Sequence, residues 1–475
     1  MESSKPSTQK IFKIQWRYFL VILCIWVIWI YSLPVDPDYS AGEMRDVYLS
    51  WFETGTLYPS LDHMPYRVLN YPPLFFYLVF FLSKLGIPYL LAGRMLSTFF
   101  ALGSFWVFYR WLRDFNITGL SAKFILALLL TSFPVFYHIP QFYLQWPAIF
   151  FSFLGTYLLS KPDSNRKVFV AAFCFTLACF FKQTQVIPAF IAFVWLLFYF
   201  RKKIWVYLST CIFFAILGIY FLNMKFGKLV WVDLFTYTVG TYSYSQFFFQ
   251  LFCHFLPWIF FFALTIYRSI HESEIRKSLL FWYFSGNVIW LFSVARDGAS
   301  SQYFIEWNLA SLLMAAPLVL DLITKPYGKL LKFLLYLQIG AATLGFSGLL
   351  IYHALDLQQL KFKLPLLCDK IASSKTPIPS DSPGLVRACG QIPALHPFIM
   401  NNLSKRALWN EQNFLQELRD KKFSFILLPF DPNTALKEKP NARWSVGFFE
   451  NMGQNYKEKD EILDWKIFEP KAPIP

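Results

Sequence analysis

The sequence predicts a polytopic α-helical membrane protein with about eleven transmembrane helices and a small α/β domain at the C-terminus. The chain is 56% hydrophobic and 21% aromatic but only 15% charged, which is too apolar for a water-soluble protein of 475 residues. Apolar runs extend from residue 18 to residue 352, and the composition then changes to mixed charge. These observations predict a membrane domain over residues 1–352 and a polar domain over residues 353–475.

Basic residues indicate the topology, because the cytoplasmic loops of membrane proteins collect Lys and Arg. In the membrane domain they cluster between apolar runs and not along one polar face, so the net charge of +15 does not indicate nucleic-acid binding. Consecutive clusters bracket apolar blocks that must cross the membrane an even number of times, and each block is expected to be a hairpin of two helices. The blocks are 120–160, 168–200, 204–267 and 279–322, with outer turns at 138–145, 182–185, 223–246 and 296–303.

The stretch 71–84 determines the sidedness of everything after it. From Pro73 to Lys84 it would reach only about 16 Å as a helix, about half the thickness of the hydrocarbon core. We therefore expect a non-spanning helix in the outer interface, within a first external loop over residues 34–88. Three single spans complete the count, which places the N-terminus in the cytoplasm and the C-terminal domain outside. They are 19–33, 89–109 and 333–352.

The first external loop is the one acidic segment of the membrane domain. Asp36 and Asp38 follow the first span at the membrane boundary, where partial desolvation would raise their basicity and suit a general base. The alternative is a solvated loop in which Glu43, Asp46 and Glu53 form the polar face of an interfacial helix. Both interpretations remain open from the residues alone.

Three basic residues are expected on the sparsely basic outer side. Arg67 precedes a Tyr-Pro-Pro turn, Lys182 lies at the tip of a tight hairpin, and Arg296 opens the last outer turn. Together these cations would suit a phosphate group at the outer leaflet. Alternatively, each is the structural partner of an acid, as Asp297 would be for Arg296.

Histidines and cysteines give weaker signals. The six histidines share no ligand spacing, so no metal site is predicted. In the polar domain, Cys368 and Cys389 could form a disulfide if that domain is extracytoplasmic. In the same domain, Asn410 is expected to cap a helix over 411–420 that precedes a strand over 423–428.

The order of several short motifs resembles that of the polyprenyl-phosphate-sugar-dependent glycosyltransferases of the GT-C superfamily, such as protein O-mannosyltransferases and aminoarabinose transferases. Each motif is short and only the series is specific, but it covers essentially the whole chain. After the first-loop acids come Gly-Thr-Leu-Tyr-Pro at 55–59, Tyr-Pro-Pro-Leu-Phe at 71–75, Gly-Arg-Met-Leu-Ser at 93–97, Phe-Lys-Gln-Thr at 181–184, and Ser-Ser-Gln-Tyr-Phe at 300–304 with Glu306.

The resemblance implies transfer of a sugar from a polyprenyl-phosphate donor, with inversion, to an unknown glycan, lipid or protein acceptor. A first-loop acid would be the base, with Asp38 ranked first, Glu43 second and Asp36 third. Cations would stabilise the leaving lipid phosphate, a role suited to Arg67, Lys182 or Arg296. Five residues are expected to line the donor and acceptor cavity: Tyr71, His138, Gln183, Tyr303 and Glu306.

The chain departs from the GT-C pattern in two places. Many relatives carry an adjacent Asp-Glu pair where this chain has acids spread from 36 to 46. The second external loop, often acidic in relatives, offers His138, Gln141 and Gln145 but no carboxylate. No cofactor or metal ion is therefore expected.

The resemblance favours a multi-pass protein of a bacterial inner membrane, with the lipid bilayer and the lipid-linked donor as its partners. Two other functions remain as alternatives. A transporter or flippase of lipid-linked sugars would favour charged residues at mid-depth and internal repeats, which the sequence does not show clearly. An O-antigen polymerase or ligase would depend more on external arginines than on a first-loop acid.

Overall fold

The computed structural model describes residues 39–238, 240–296, 298–324, 329–432, 434, 443–462 and 464–472. The predicted first span at 19–33 and the candidate bases Asp36 and Asp38 lie outside the described residues. The chain divides into two compact units. Among the described residues, the first unit comprises 72–221 and 240–352, and the second comprises 39–71, 222–238 and 353–472.

Helices dominate the described part of the chain. In chain order they are α1 (Tyr39–Thr54), α2 (Leu74–Lys84), α3 (Tyr89–Asp114), α4 (Gly119–Leu130), α5 (Phe133–Tyr137), α6 (Gln145–Leu159), α7 (Asn165–Phe181), α8 (Val186–Tyr199), α9 (Ile204–Phe226), α10 (Leu229–Trp231), α11 (Tyr244–Gln250), α12 (Ile259–His271), α13 (Ser273–Lys277), α14 (Leu279–Trp290), α15 (Ile305–Thr324), α16 (Lys329–Ile371), α17 (Pro383–Ala388), α18 (Pro397–Lys405), α19 (Gln412–Arg419) and α20 (Val446–Asn455). Short 3₁₀ segments lie at Gln183–Gln185, Arg201–Lys203, Leu256–Trp258, Leu291–Ala295 and Ser301–Phe304, and π-helical segments at Val232–Thr236 and Leu251–Phe255. The strands are β1 (Ile426–Leu428), β2 (Tyr456–Ile462) and β3 (Trp465–Pro470).

Helix breaks fall close to the turns that the sequence predicts. Helix α7 begins just before the block 168–200, where Ser164 Oγ accepts the N–H of Lys167. Within the block, Lys182 leaves the helical conformation at φ −150° and ψ 118°. The helix resumes at Val186, so the break agrees with the predicted turn at 182–185. The other three blocks also contain helices on both sides of their predicted turns.

Four helical runs in the described ranges are long and apolar enough to cross a membrane. They are Tyr89–Asp114, Arg201–Phe226, Tyr244–His271 and Ser301–Thr324. Four shorter apolar helices accompany them: Leu74–Lys84, Gly119–Leu130, Gln183–Tyr199 and Leu279–Ala295. The predicted total of about eleven spans depends on shorter helices also crossing, so the count and the sidedness stay predictions.

Two helices bear on the predicted topology in different ways. Helix α2 has 11 residues, about 16 Å by helical rise, which agrees with the predicted length of the non-spanning segment. Helix α16 has 43 residues and extends well beyond the predicted last span at 333–352. Sequence hydropathy located only its apolar part, because the polar continuation carries no membrane signal.

The second unit has its own hydrophobic core. Tyr66 and Val68 of the first external loop are buried in the same cluster as Met400, Phe414 and Phe448. The first-loop residues 39–71 therefore belong to the same compact unit as residues 353–472.

A small antiparallel sheet completes the second unit, in the strand order β1-β3-β2. Asn410 Oδ1 accepts the N–H of Gln412 at the start of α19, as predicted, and β1 falls inside the predicted strand at 423–428. Cys368 and Cys389 are joined by a disulfide. These features agree with the small α/β domain that the sequence predicts.

Candidate active site

Lys182 is a buried cation of the first unit. It lies at the break between α7 and α8, and only 2% of it is exposed. Its Nζ donates to Gln145 Oε1 at 2.5 Å and lies 5.0 Å from the centroid of the Tyr303 ring. The charges of Glu306 and Arg296 both act on this ammonium group. The amide and the ring solvate the cation without neutralising it.

Arg296 supplies a second cation near Tyr303, on whose hydroxyl its charge acts. Its backbone pairs with Tyr242 in an isolated antiparallel bridge that follows the 3₁₀ segment Leu291–Ala295. The Nε atom of Arg296 is buried, with no hydrogen-bond partner among the described residues. A buried donor without a partner is costly, so this N–H is suited to an incoming acceptor.

Glu306 is the acid of this cluster and lies in the first turn of α15. Its Oε1 accepts from Ser152 Oγ at 2.9 Å and from Tyr283 Oη at 2.6 Å, and its Oε2 accepts from Gln185 Nε2 at 3.1 Å. Neutral donors therefore fix the carboxylate. With Lys182 and Arg296 nearby, the described part of this cluster holds two basic side chains and one acid.

His138 has partners on both ring nitrogens. Its Nδ1 lies 2.8 Å from Gln141 Oε1 and its Nε2 lies 2.9 Å from Ser301 Oγ. Since the amide oxygen can only accept, Nδ1 carries the proton and the Ser301 hydroxyl donates to Nε2. Both ring nitrogens of His138 are thus hydrogen-bonded. No group of three or more potential metal ligands occurs within the described ranges. Metal independence itself stays a prediction.

The structure brings most of the predicted cavity residues into the first unit. Gln183 follows Lys182 directly in the single turn Gln183–Gln185, and Tyr303 has cations around it. Tyr71 belongs instead to the second unit, where its carbonyl accepts from Tyr58 Oη at 2.8 Å. Spacing alone could not predict the contacts of Lys182 with Gln145 or of Glu306 with Tyr283.

Glu43 is the one ranked base within the described part of the chain. It lies on α1, and its Oε1 is in close contact with His396 Nε2. His396 lies at the N-terminus of α18, where its Nδ1 accepts the N–H of Ile399 at 3.3 Å. The sequence analysis missed His396, although a polar residue before Pro397 is a recognisable helix-start signal.

Arg67 pairs with acids, as the alternative interpretation of this residue expected. Its Nε and Nη2 donate to Asp46 at 2.8 and 3.1 Å, and only 3% of it is exposed. Asp46 also accepts from Arg387 Nε at 2.7 Å. The expectation of a solvated Asp46 is wrong, because two guanidinium groups compensate its burial. The same pairing leaves Arg67 Nη1 buried without a hydrogen-bond partner among the described residues, so a role of Arg67 in binding phosphate stays a prediction.

Asp233 is a further buried acid that the sequence analysis missed. It lies in the π-helical segment Val232–Thr236 of the second unit, and Oδ2 accepts the N–H of Leu69 at 3.0 Å. Burial raises the pKa of Asp233 to about 8. The sequence did carry a signal for this residue, because Asp233 is the only acid in the predicted outer turn at 223–246.

Comparison with solved structures identifies the fold. The structure of ArnT from Cupriavidus metallidurans in the apo state matches with a TM-score of 0.64 and 12% identity, over 95% of this chain and 96% of that one. The chain therefore shares its fold with this structure. This confirms the fold that the motif series implied.

Two further structures share this fold. ArnT from the same organism bound to undecaprenyl phosphate matches with a TM-score of 0.61 and 12% identity, over 96% of this chain and 98% of that one. The archaeal oligosaccharyltransferase AglB from Archaeoglobus fulgidus, in complex with an inhibitory peptide and a dolichol-phosphate, matches with a TM-score of 0.50 and 10% identity, over 94% of this chain and 73% of that one. No protein-family model and no curated protein matches the chain by sequence. At these identities, residue roles must be argued from this chain's own side chains.

Proposed function

We propose that this protein is a membrane glycosyltransferase that moves a sugar from a polyprenyl-phosphate donor to an acceptor on the external face, with inversion of the anomeric carbon. The observation that carries the proposal is the buried Lys182 and the half-buried Arg296, whose Nε is buried without a partner, near Glu306 among the described residues of a GT-C-like fold. The ArnT and AglB structures with undecaprenyl phosphate and dolichol-phosphate support a lipid phosphate as the ligand.

The charge balance favours an anionic ligand. An uncompensated buried charge costs several kcal/mol, so a low-dielectric site with surplus positive charge favours an anion. Lys182 offers a compact ammonium group, and Arg296 offers a planar guanidinium whose N–H groups match phosphate oxygens. Glu306 is held by Ser152, Gln185 and Tyr283 and would keep the cations in place without occupying the anion position.

The reaction we propose needs one base and one set of cations. A first-loop carboxylate takes the proton of the acceptor hydroxyl or amine as its oxygen or nitrogen bonds to C1 of the sugar. The bond between C1 and the phosphate oxygen breaks, and its electron pair stays on the lipid phosphate. Lys182 and Arg296 stabilise that developing charge, so the leaving group needs no proton. Attack on the face opposite the phosphate inverts C1.

The base remains a ranked choice among Asp38, Glu43 and Asp36. Glu43 has a fixed partner in His396, which supports a role in which the orientation of the carboxylate matters. The tyrosine and amide side chains of the first unit beside the cations, Tyr303 and Gln183, are proposed to line the donor cavity.

The proposed location is the bacterial inner membrane, with the N-terminus in the cytoplasm and the C-terminal domain outside. The disulfide between Cys368 and Cys389 supports an extracytoplasmic C-terminal domain, because disulfides persist in oxidising compartments. The basic segments between apolar helices support the same orientation.

The proposal is tested with the full chain in proteoliposomes, a panel of labelled polyprenyl-phosphate sugars and an envelope extract as acceptor source. The readouts are labelled product and released polyprenyl phosphate. Asp38→Asn, Glu43→Gln and Asp36→Asn are compared one at a time, and at least one should reduce transfer by about 10²- to 10⁴-fold, the usual contribution of a general base.

The other outcomes identify the competing functions. Transfer that all three substitutions leave intact would refute a first-loop base, and additional loss in Arg296→Met would then favour a polymerase- or ligase-like reaction. Movement of the intact lipid-linked sugar across the bilayer without release of polyprenyl phosphate would favour a flippase.

A further inference from the structure

We propose that His396 of the C-terminal segment is a positioning residue for the carboxylate of Glu43, so that the C-terminal domain completes the acceptor half of the active site. This inference rests on the proposed function, in which a first-loop carboxylate is the base. It goes further by selecting Glu43 and by assigning a role to a residue about 350 positions away in the sequence.

The tautomer of His396 follows from its two contacts. Nδ1 accepts the backbone N–H of Ile399 at 3.3 Å, so this nitrogen has no proton. A neutral imidazole then carries its proton on Nε2, the atom in contact with Glu43 Oε1. The start of α18 thus fixes which nitrogen of His396 faces Glu43 Oε1. In the proposed role that nitrogen donates to this oxygen and orients the carboxylate, and the other oxygen receives the proton.

The helix that carries Glu43 is also fixed on either side of that residue. Gly42 lies so close to Gly384 of α17 that a Cβ built on Gly42 would be 2.8 Å from the Gly384 Cα. One helical turn further on, Asp46 accepts from Arg387 Nε at 2.7 Å. Residues 384–396 therefore hold α1 at three points, and Glu43 lies between the outer two.

The surroundings of His396 contain charges on several elements. Asp381 interacts electrostatically with His396 and is paired with Arg443 at 3.2 Å. Around Asp46 lie Arg67 and Arg387, and Arg45 on α1 donates to the carbonyl of Arg387. These groups stay in place when only position 396 is changed, so a change in kcat can be assigned to the contact between His396 and Glu43.

Two substitutions separate the two functions of the imidazole. His396→Asn keeps an acceptor near the position of Nδ1, and Asn is a favoured helix N-cap, but no atom replaces Nε2. His396→Gln can place an amide N–H near the position of Nε2 and loses the cap. A purely structural His396 would tolerate Asn better than Gln, whereas a positioning His396 would tolerate Gln better than Asn.

The experiment measures kcat and KM of transfer for the full chain and its variants in proteoliposomes. We expect Asn to reduce kcat by between about tenfold and a hundredfold with KM for the donor nearly unchanged, and Gln to restore most of kcat. In a Glu43→Gln background, His396→Asn should cause no further loss of kcat. Ser445→Ala, which removes the N-cap of α20 in the same unit, is the matched control and should leave kcat unchanged.

The outcomes distinguish this inference from the proposed function. If the wild type transfers sugar and only Asp38→Asn or Asp36→Asn abolishes transfer, the function stands and the inference is overturned. Equal losses in His396→Asn and His396→Gln, in proportion to lost thermal stability, also overturn it. A wild type that transfers no sugar from any donor of the panel overturns both.

Discussion

Arg387 meets the carboxylate of Glu53 with both terminal nitrogens, Nη1 to Oε1 at 2.6 Å and Nη2 to Oε2 at 2.8 Å. The two residues are 334 positions apart in the chain. The planar guanidinium matches a carboxylate in this two-pronged geometry, which an ammonium group cannot reproduce. The acidic helix α1 and the polar C-terminal domain are therefore held together by directed ion pairs.

The first prediction concerns the stability that Arg387 supplies. Arg387→Met keeps much of the side-chain volume but leaves Asp46 with one guanidinium partner instead of two. Breaking a buried ion pair costs about 3–5 kcal/mol, so the apparent melting temperature in detergent should fall by several degrees. Arg387→Lys should fall between Met and the wild type.

The matched control is Arg419→Met, an exposed arginine of the same unit whose partners are Gln416 and Asn451. Exposed substitutions of this kind usually change stability by less than about 0.5 kcal/mol. Equal melting temperatures for the two Met variants would show that Arg387 contributes no more than a surface residue.

The second prediction assigns opposite effects to two residues of the first unit. Lys182→Met removes a buried cation and should weaken binding of a fluorescent polyprenyl phosphate by at least about tenfold, since a charge-assisted contact typically contributes 1.5–3 kcal/mol. Glu306→Gln removes the negative charge that acts on Lys182 and should strengthen the same binding, although it weakens the hydrogen bonds from Ser152 and Tyr283. Binding is measured by competition at two salt concentrations.

Two exposed charges of the same unit serve as controls. Lys161→Met and Glu272→Gln alter residues that pair with Asp114 and Arg268, and both should leave lipid-phosphate affinity unchanged. If Lys182→Met and Glu306→Gln change the affinity in the same direction, the site does not bind the lipid phosphate through surplus positive charge.

The predictable part of this protein is the part governed by local signals. The break at Lys182 and the short helix α2 follow from apolar length and from the placement of basic residues, because the bilayer imposes a fixed thickness on each crossing. The sequence could single out Lys182 as a candidate site residue because a charged side chain between two apolar helices is costly to bury. These are properties of a few adjacent residues.

The pairings of α1 could not be predicted in this way. Asp46 and Arg387 are 341 positions apart, and no spacing or composition rule links two such residues. The same limit explains why the sequence could suggest Arg67 as a phosphate ligand but could not show that it pairs with Asp46. A charge pattern indicates that a partner is needed, but only the fold determines which partner is present.

The third prediction concerns the disulfide between Cys368 and Cys389, which closes a loop with a sequence separation of 21. A membrane-impermeant thiol reagent should label neither cysteine on intact cells or spheroplasts, and should label both after mild reduction. Cys368→Ser should lower the apparent melting temperature, because a bridge of this loop length typically contributes about 3 kcal/mol. Cys174 is the control, because it is buried in α7 and should stay unlabelled in both conditions. Labelling of Cys368 and Cys389 without reduction, or only after permeabilisation, would contradict the bridge or the external location.

The fourth prediction concerns the pH dependence of stability at Asp233. Burial raises the pKa of this carboxyl from 3.8 to about 8, although the N–H of Leu69 partly opposes the shift. Between pH 4 and pH 8 the folded state therefore holds a proton that the unfolded state has lost. The stabilisation is fully present below about pH 4, decreases at about 1.4 kcal/mol per pH unit through this window, and is largely lost once the pH passes 8.

Asp233→Asn removes this dependence, because the amide oxygen can still accept from Leu69 and cannot ionise. The difference in apparent melting temperature between the variant and the wild type should therefore grow in favour of the variant from pH 5 to pH 8 and then level off. Other titrating groups are common to both proteins and cancel in this difference. Asp420→Asn changes an exposed acid of the same unit and should give a difference that is independent of pH. If the Asp233→Asn difference is also flat over this range, the carboxyl ionises in the folded protein near its ordinary pKa, and its contact with Leu69 is that of a carboxylate.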